Sequence, residues 1–304
     1  MNSEKTAFIF PAFVNEYLGK ERAILSSLSN DFETNLKITS EWLGKDLNNF
    51  HEIENNYLDQ ELLTQYITYT FSCSISDMLQ NKGFKPDFIT GYSMGIYAAF
   101  YSAKSIDFIA GLEIIKMAYH EMQAFLGDKE FGMGIVIGLS VEDIQLLLKS
   151  STTDVELINA NAEFSNVISG EFNEVVKMLD IFKEEGALNT KLLKVSSPYH
   201  SKYVIEAAKN IGKRIQEFTI KTPVFPVISL IDQKTILNSE DVTSEISRNI
   251  DHSLDWYKTM QFLISNKAST IIECGAGNGM YKNGKFVEGD FQIYPITKYF
   301  KLFK

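Results

Sequence analysis

Short apolar runs and stretches of helically spaced apolar residues alternate along this chain. Residues 7–10 form an unbroken apolar run that stops at Pro11, which predicts a strand. Residues 20–36 and 60–80 carry apolar positions at helical spacing, with Leu62, Leu63, Tyr66, Ile67 and Phe71 marking the second stretch. Pro86 introduces a short apolar strand over 87–90. Residues 94–103, rich in Ala and Tyr and free of Pro, predict a buried helix. A further helix is predicted over 109–125, with Leu112, Ile115, Tyr119 and Met122 on its apolar positions. This alternation predicts an α/β fold with a parallel sheet.

The middle of the chain changes style. A Gly-interrupted strand over 132–138 precedes Ser140-Val141-Glu142-Asp143, which reads as a helix cap followed by acids. Strands at 155–158 and 166–169, a helix at 174–184 and a strand at 192–195 complete a β-α-β-β-α-β order, that of a ferredoxin-like module. Strands at 227–230 and 270–273 and a helix near 253–265 then resume the first pattern. The expected organisation is therefore a large α/β domain over 1–127 and 197–304, with a ferredoxin-like small domain inserted at 128–196.

Composition keeps the chain in ordinary globular territory: 304 residues, 45% apolar and 22% charged. The first residues carry no basic segment followed by an apolar stretch, so no signal peptide is expected. No apolar run is long enough to suggest a membrane span. Cys73 and Cys274 stand alone in apolar surroundings, which suits packed thiols in a reducing compartment and neither a disulfide framework nor a metal site. Cytoplasmic location is the default expectation. A net charge of −10 argues against broad nucleic-acid binding. Local basic groups remain at Lys202, Lys209, Lys213 and Arg214, and in the C-terminal stretch at Lys282, Lys285, Lys298, Lys301 and Lys304.

The candidate chemistry begins at Gly91-Tyr92-Ser93-Met94-Gly95, which fits G-x-S-x-G between a predicted strand and a predicted helix. A serine on such a sharp turn exposes its hydroxyl and lies next to backbone donors able to hold an oxyanion. Four histidines could activate it: His51, His120, His200 and His252. His51 lies in a polar, charged stretch. His120 falls within a predicted helix. His200 follows Ser196-Ser197-Pro198-Tyr199 at a strand end, where α/β proteins gather their chemistry, and is the expected general base.

The ordered set Phe8-Ile9-Phe10-Pro11, Gly91 to Gly95, Met122-Gln123, Asn159-Ala160-Asn161, Ser197-Pro198-Tyr199-His200-Ser201, Trp256 and Gly275-Ala276-Gly277 resembles the malonyl-CoA:acyl-carrier-protein transacylases. It is also similar to the related acyltransferase domains of polyketide synthases. The resemblance spans essentially the whole chain. It implies a hydrolase-type parallel-sheet domain carrying a ferredoxin-like domain, with the site in the cleft between them. It further implies that Ser93 attacks an acyl thioester while His200 takes and later returns the proton. The histidine would be oriented by the backbone carbonyl of His252, four residues before Trp256. The oxyanion donors would be the backbone N–H groups of Phe13 and Met94, and Ala118, Met122, Tyr92 and Tyr199 would line the acyl pocket. No bound cofactor or metal is implied, because the substrates bring their own CoA or phosphopantetheine; the implied partner is an acyl carrier protein.

Three departures from the family pattern alter this expectation. Phe10-Pro11-Ala12-Phe13 stands where the family has Phe-Pro-Gly-Gln, which makes the pocket bulkier and more apolar. Tyr92 precedes the nucleophile where His is usual. Ala118 occupies the position of the Arg that grips the malonyl carboxylate, and Lys116, about 200° around a helix, is misplaced to replace it. An uncharged acyl group is therefore expected, since an unpaired carboxylate in a partly closed pocket costs several kcal/mol. The expected activity is transfer of such a group between a thioester and a carrier protein. The alternatives are hydrolysis of carrier-bound thioesters, as in divergent members beside polyketide synthases, ordinary malonyl transfer, and non-catalytic carrier docking. An α/β-hydrolase esterase is disfavoured by the place of His200 in the chain and by the inserted module.

Overall fold

The apolar run predicted at 7–10 is the centre of the molecule. In the computed structural model, which describes residues 4–12, 24, 31–48, 61–127, 129–193, 195 and 197–299, it lies in strand β1 (Lys5–Phe10). Ala7, Phe8, Ile9 and Phe10 are all fully buried, as a strand covered on both faces requires. Helices α1 (Asp31–Leu43) and α2 (Glu61–Asn81) lead to β2 (Phe88–Gly91), α3 (Gly95–Ser102) and α4 (Phe108–Leu126). The small module follows as β3 (Phe131–Ile137), α5 (Val141–Ser150), β4 (Glu156–Ala162), β5 (Ser165–Glu171), α6 (Phe172–Glu184) and β6 (Asn189–Leu193). The chain then runs through α7 (Ile205–Arg214), β7 (Val227–Ile228), β8 (Thr235–Ile236), α8 (Ser239–Arg248), β9 (Leu254–Asp255) and α9 (Trp256–Ser265). It closes with β10 (Ala268–Glu273), α10 (Gly279–Gly284), β11 (Gln292–Pro295) and α11 (Ile296–Tyr299).

A six-stranded sheet has the order β11-β10-β1-β2-β7-β8. All its neighbours are parallel except β7 and β8. The chain leaves β1 toward β2 on one side and returns to β10 on the other, so the carboxyl ends of β1 and β2 border a switch point where α/β sheets place ligands. The fold is α/β of hydrolase type with a ferredoxin-like second layer. That layer is a five-stranded sheet of order β6-β3-β5-β4-β9. Its first four strands are antiparallel in the split order expected of the β-α-β-β-α-β pattern. Val136, Ile144, Ile168, Val175, Met178 and Phe182 fill the core between this sheet and its two helices. The Gly interruption has a packing reason, since a Cβ on Gly134 would lie 2.7 Å from Leu179. Ser140 does cap α5: its hydroxyl accepts from Asp143 N–H, and the Asp143 carboxylate reaches back to the Ser140 amide.

One local expectation changes in a way that matters for the site. The predicted helix near 253–265 begins at Trp256, and the two residues before it form β9, which pairs in parallel with β4 at Asn159 and Ala160. Asp255 cannot be helical there because it is the cap, its carboxylate accepting from Lys258 N–H at 2.7 Å. The segment 249–255 is thereby stitched to the small sheet. Among the described residues, no helix is long and apolar enough to cross a membrane.

Candidate active site

The turn after β2 is built from steric necessity. Ser93 has φ 54°, a left-handed conformation that a non-glycine residue adopts at a cost on the order of 1–3 kcal/mol. Its neighbours must be glycine. A Cβ on Gly91 would stand 2.3 Å from the Gly95 carbonyl carbon, and one on Gly95 would stand 2.1 Å from the Phe10 carbonyl oxygen. The elbow is thus pressed against the end of β1. Gly95 N–H donates to Tyr92 C=O at 2.9 Å and Ile96 N–H to Ser93 C=O at 3.1 Å. Met94 N–H has no such acceptor among the described residues, which leaves it available at the start of α3. Phe13, the other expected oxyanion donor, lies outside the described residues, as does His51.

His200 arrives from the opposite side, at a second strained position with φ 63°. Its Nε2 lies 2.7 Å from Ser93 Oγ. The loop holding it is tightly fastened. His200 N–H donates to Ile250 C=O at 2.6 Å, Ser201 Oγ donates to Pro198 C=O at 2.6 Å, and Gln123 Nε2 donates to Ser197 Oγ at 3.2 Å. The imidazole is only 5% exposed. Burial pushes its pKa down to about 4, and the nearby backbone carbonyls of Asn249 and His252 only partly oppose that by favouring the charged ring. Neither carbonyl makes a well-formed hydrogen bond to Nδ1. At neutral pH the ring is uncharged and able to accept a proton. The backbone carbonyl of His252 is one of the two near the ring, while its own ring is turned to Asp251 at 2.6 Å. His120 is exposed, with its ring against Tyr119.

The remaining candidates fall into two groups. Ala118 and Met122 lie one turn apart on α4 and are both buried, 7% and 1% exposed. Lys116 is directed elsewhere, its ammonium 5.7 Å above the Trp42 ring. Tyr92 is anchored to the small sheet: its hydroxyl donates to Asn161 Oδ1 at 2.7 Å, accepts from Asn159 Nδ2, and its ring meets Trp256 edge-on at 6.0 Å. Tyr199 donates its hydroxyl to the Glu61 carboxylate and accepts from Gln65 Nε2 at 3.0 Å. Sequence reasoning missed Glu61 and Gln65. Their signal was an acid and an amide four residues apart, which places them on one face of α2, where both are buried.

The basic group near the histidine is largely neutralised. Lys202 is paired with Asp154 and lies 3.8 Å from Glu156, Lys209 pairs with Glu206 at 2.6 Å, and Arg214 pairs with Glu121 at 2.6 Å. The C-terminal lysines differ: Lys285 and Lys298 stand 4.7 and 4.3 Å from the Tyr281 ring centre. Among the described residues, no group of three or more His, Cys, Asp or Glu side chains is arranged to hold a metal.

This geometry can be set beside known proteins. No family model matches the chain. It is 29% identical over 231 residues to the polyketide biosynthesis malonyl CoA-acyl carrier protein transacylase PksC of Bacillus subtilis, covering 74% of this chain and 79% of that one. It is 27% identical over 275 residues to the malonyl CoA-acyl carrier protein transacylase of a Synechocystis species, covering 90% of each. The fold superposes with a TM-score of 0.90 on the malonyl CoA-acyl carrier protein transacylase of Coxiella burnetii, at 26% identity over 97% of this chain and 94% of that one. A malonyl-transacylase solved with its type II polyketide synthase acyl-carrier protein matches with a TM-score of 0.91, at 25% identity over 96% of each chain. Relatives and solved neighbours of this kind match the chain along nearly its whole length, and in sequence and fold it is similar to the malonyl-CoA:acyl-carrier-protein transacylases.

Proposed function

We propose that this protein is an acyltransferase that moves an uncharged acyl group from a CoA or carrier thioester to an acyl carrier protein through an acyl-Ser93 intermediate. The observation that carries the reading is the 2.7 Å contact between Ser93 Oγ, on its strained elbow, and a buried, neutral His200. Ser93 Oγ attacks the thioester carbonyl while its proton passes to His200 Nε2. The oxyanion is held by Met94 N–H at the start of α3. Collapse expels the thiolate, which takes the proton back from the imidazolium, and the carrier's phosphopantetheine thiol then runs the same steps in reverse. The carbonyls of Asn249 and His252 supply the modest support the transient imidazolium needs.

The choice of acyl group rests on α4. Ala118 offers no charge, and the Lys116 ammonium is held over Trp42. A malonyl carboxylate would enter without a partner, at a cost of several kcal/mol. An acetyl or longer uncharged group carries no such penalty. The relatives named as malonyl CoA-acyl carrier protein transacylases, and the neighbour solved with its carrier protein, support a thioester substrate and a carrier partner.

The test is intact-mass analysis after incubation with acetyl, longer acyl and malonyl thioesters of CoA and of carrier protein. Acetyl or longer groups should load Ser93 faster than malonyl, and Ser93→Ala should load nothing. A malonyl preference of about tenfold or more in kcat/KM, about 1.4 kcal/mol, would overturn the assignment of the acyl group. Transfer shows as the loaded carrier. Hydrolysis, the second course open to the same intermediate, shows as free acid with the carrier unloaded.

A further inference from the structure

Against Tyr199, the residue before His200, lies a carboxyl that takes no part in the Ser93–His200 proton transfers. Glu61 opens α2 and is 1% exposed. Its Oε1 accepts from the Tyr199 hydroxyl and from Gln65 Nε2 at 3.2 Å. Its Oε2 is buried and meets no donor among the described residues. Among the described residues no cation supports it, and those two hydrogen bonds are all that favour its charge, while burial pushes its pKa up. Tyr199 is the residue before His200, and the two rings are 6.2 Å apart. The field of Glu61 also reaches α4, where it raises the pKa of Tyr119, the residue after Ala118.

We propose that Glu61 is a specificity-determining residue that excludes carboxylated acyl groups, so that the site takes uncharged acyl thioesters. This rests on the acyl-Ser93 chemistry under Proposed function. A second carboxylate entering the cleft near an acid that no cation pairs among the described residues leaves two choices. Either both groups stay charged at close range, or one must take up a proton; each costs free energy. The repulsion is Coulombic, so it acts without Glu61 touching the acyl chain. A purely structural Glu61, one that only ties α2 to the histidine loop, would affect all acyl groups alike. The two roles therefore separate in a ratio of rates.

The experiment follows acylation of Ser93 by acetyl-CoA and malonyl-CoA, by intact mass, in the unmodified protein, Glu61→Gln and Glu61→Ala. Glutamine keeps the shape and an acceptor for Tyr199 while removing the charge. The malonyl-to-acetyl ratio should rise about tenfold or more in both variants, the scale of a removed like charge at short range. An unchanged ratio in variants that still form acetyl-enzyme overturns the proposal. Should neither variant fold, malonyl-CoA is compared with its isosteric amide thioester on the unmodified protein. Faster loading of the amide supports charge exclusion, and equal loading overturns it. If no thioester labels Ser93 in the unmodified protein, the acyl-enzyme reading itself falls; if acetyl labels and the ratios stay fixed, only the role of Glu61 does.

Discussion

The acid limb of the acylation rate should report the burial of His200. An ordinary histidine titrates near pH 6.5, whereas desolvation at 5% exposure pushes this one down to about 4. The difference, multiplied by 1.36 kcal/mol per unit, is about 3 kcal/mol in favour of the neutral ring. Only the neutral ring can take the proton from Ser93 Oγ, so kcat/KM for loading acetyl thioesters should stay flat from pH 8 down to about 5 and fall below that. The value at pH 5.5 decides the matter. A base titrating at 6.5 would retain about a tenth of the plateau there, while one near 4 would retain about nine-tenths or more. Single-turnover loading, quenched and read by intact mass, avoids confusion with later transfer to a carrier. Loss of about 90% of the rate at pH 5.5, in protein whose near-ultraviolet circular dichroism is unchanged, would refute the buried-base argument and imply that water reaches the ring.

Three further outcomes follow from other parts of the structure. His200→Ala should slow Ser93 loading by about two orders of magnitude or more, and near-normal loading would move the base elsewhere. Glu245 is buried against Ser229 and its pKa is pushed up to about 7; its folded pKa lies above its unfolded one, so the stability it adds is full below about pH 4.5 and is lost as pH rises through 7. Glu245→Gln should remove up to about 3 kcal/mol of that pH dependence in urea melts compared at pH 5 and pH 8, and parallel curves would contradict it. Charge reversal at Lys285 and Lys298 should weaken use of carrier protein in a salt-dependent way and spare small thioesters, whereas the same change at Lys202, already paired with Asp154 and close to Glu156, should lower the melting temperature instead.

The parts of the fold legible from sequence are those whose cause is local. The strand at the centre of the large sheet is a contiguous apolar run ended by proline, and the cap of α5 is complete within four residues. The elbow could be read because its chemistry and its steric demands fall within Gly91 to Gly95. Helix α7 was not anticipated, since its buried face rests on Ala207, Ala208 and Ile211, too small and too few to stand out. Strand β9 was missed because two residues carry no period, and only its pairing with Asn159 and Ala160 makes it a strand. The charge pairs of Lys202 join residues 46 and 48 positions apart, so a basic cluster in the sequence proved to be a clamp between the histidine loop and the small sheet. Glu61 escaped notice for the same reason: nothing within its own helix reveals that Tyr199 is its partner.

Among the described residues no carboxylate stands behind His200, which suits thioester chemistry. An acid at Nδ1 would stabilise the imidazolium and make the ring a stronger base, but a weaker acid when the proton must be returned. In the proposed reaction the leaving group is a thiolate whose conjugate acid titrates near 8.5, and an imidazolium near 4 would deliver its proton about four units downhill. Expulsion of the thiol, and its reversal when a carrier thiol attacks, therefore needs little help. The harder step is taking a proton from serine with so weak a base. In the proposed mechanism the elbow offsets that difficulty by other means: Ser93 is held on a turn at φ 54°, and Met94 N–H, at the start of α3, would receive the oxyanion as it forms. A carboxylate placed near His200 by mutation should shift the balance the wrong way. Asn249→Asp, which adds an acid to a residue whose carbonyl already supports the ring, should raise the apparent pKa of the acid limb toward 6.5. It should also slow loading at pH 5.5 relative to pH 8, compared with the unmodified protein. An acid limb that does not move in this variant would mean that the residue 249 side chain is electrostatically isolated from the imidazole.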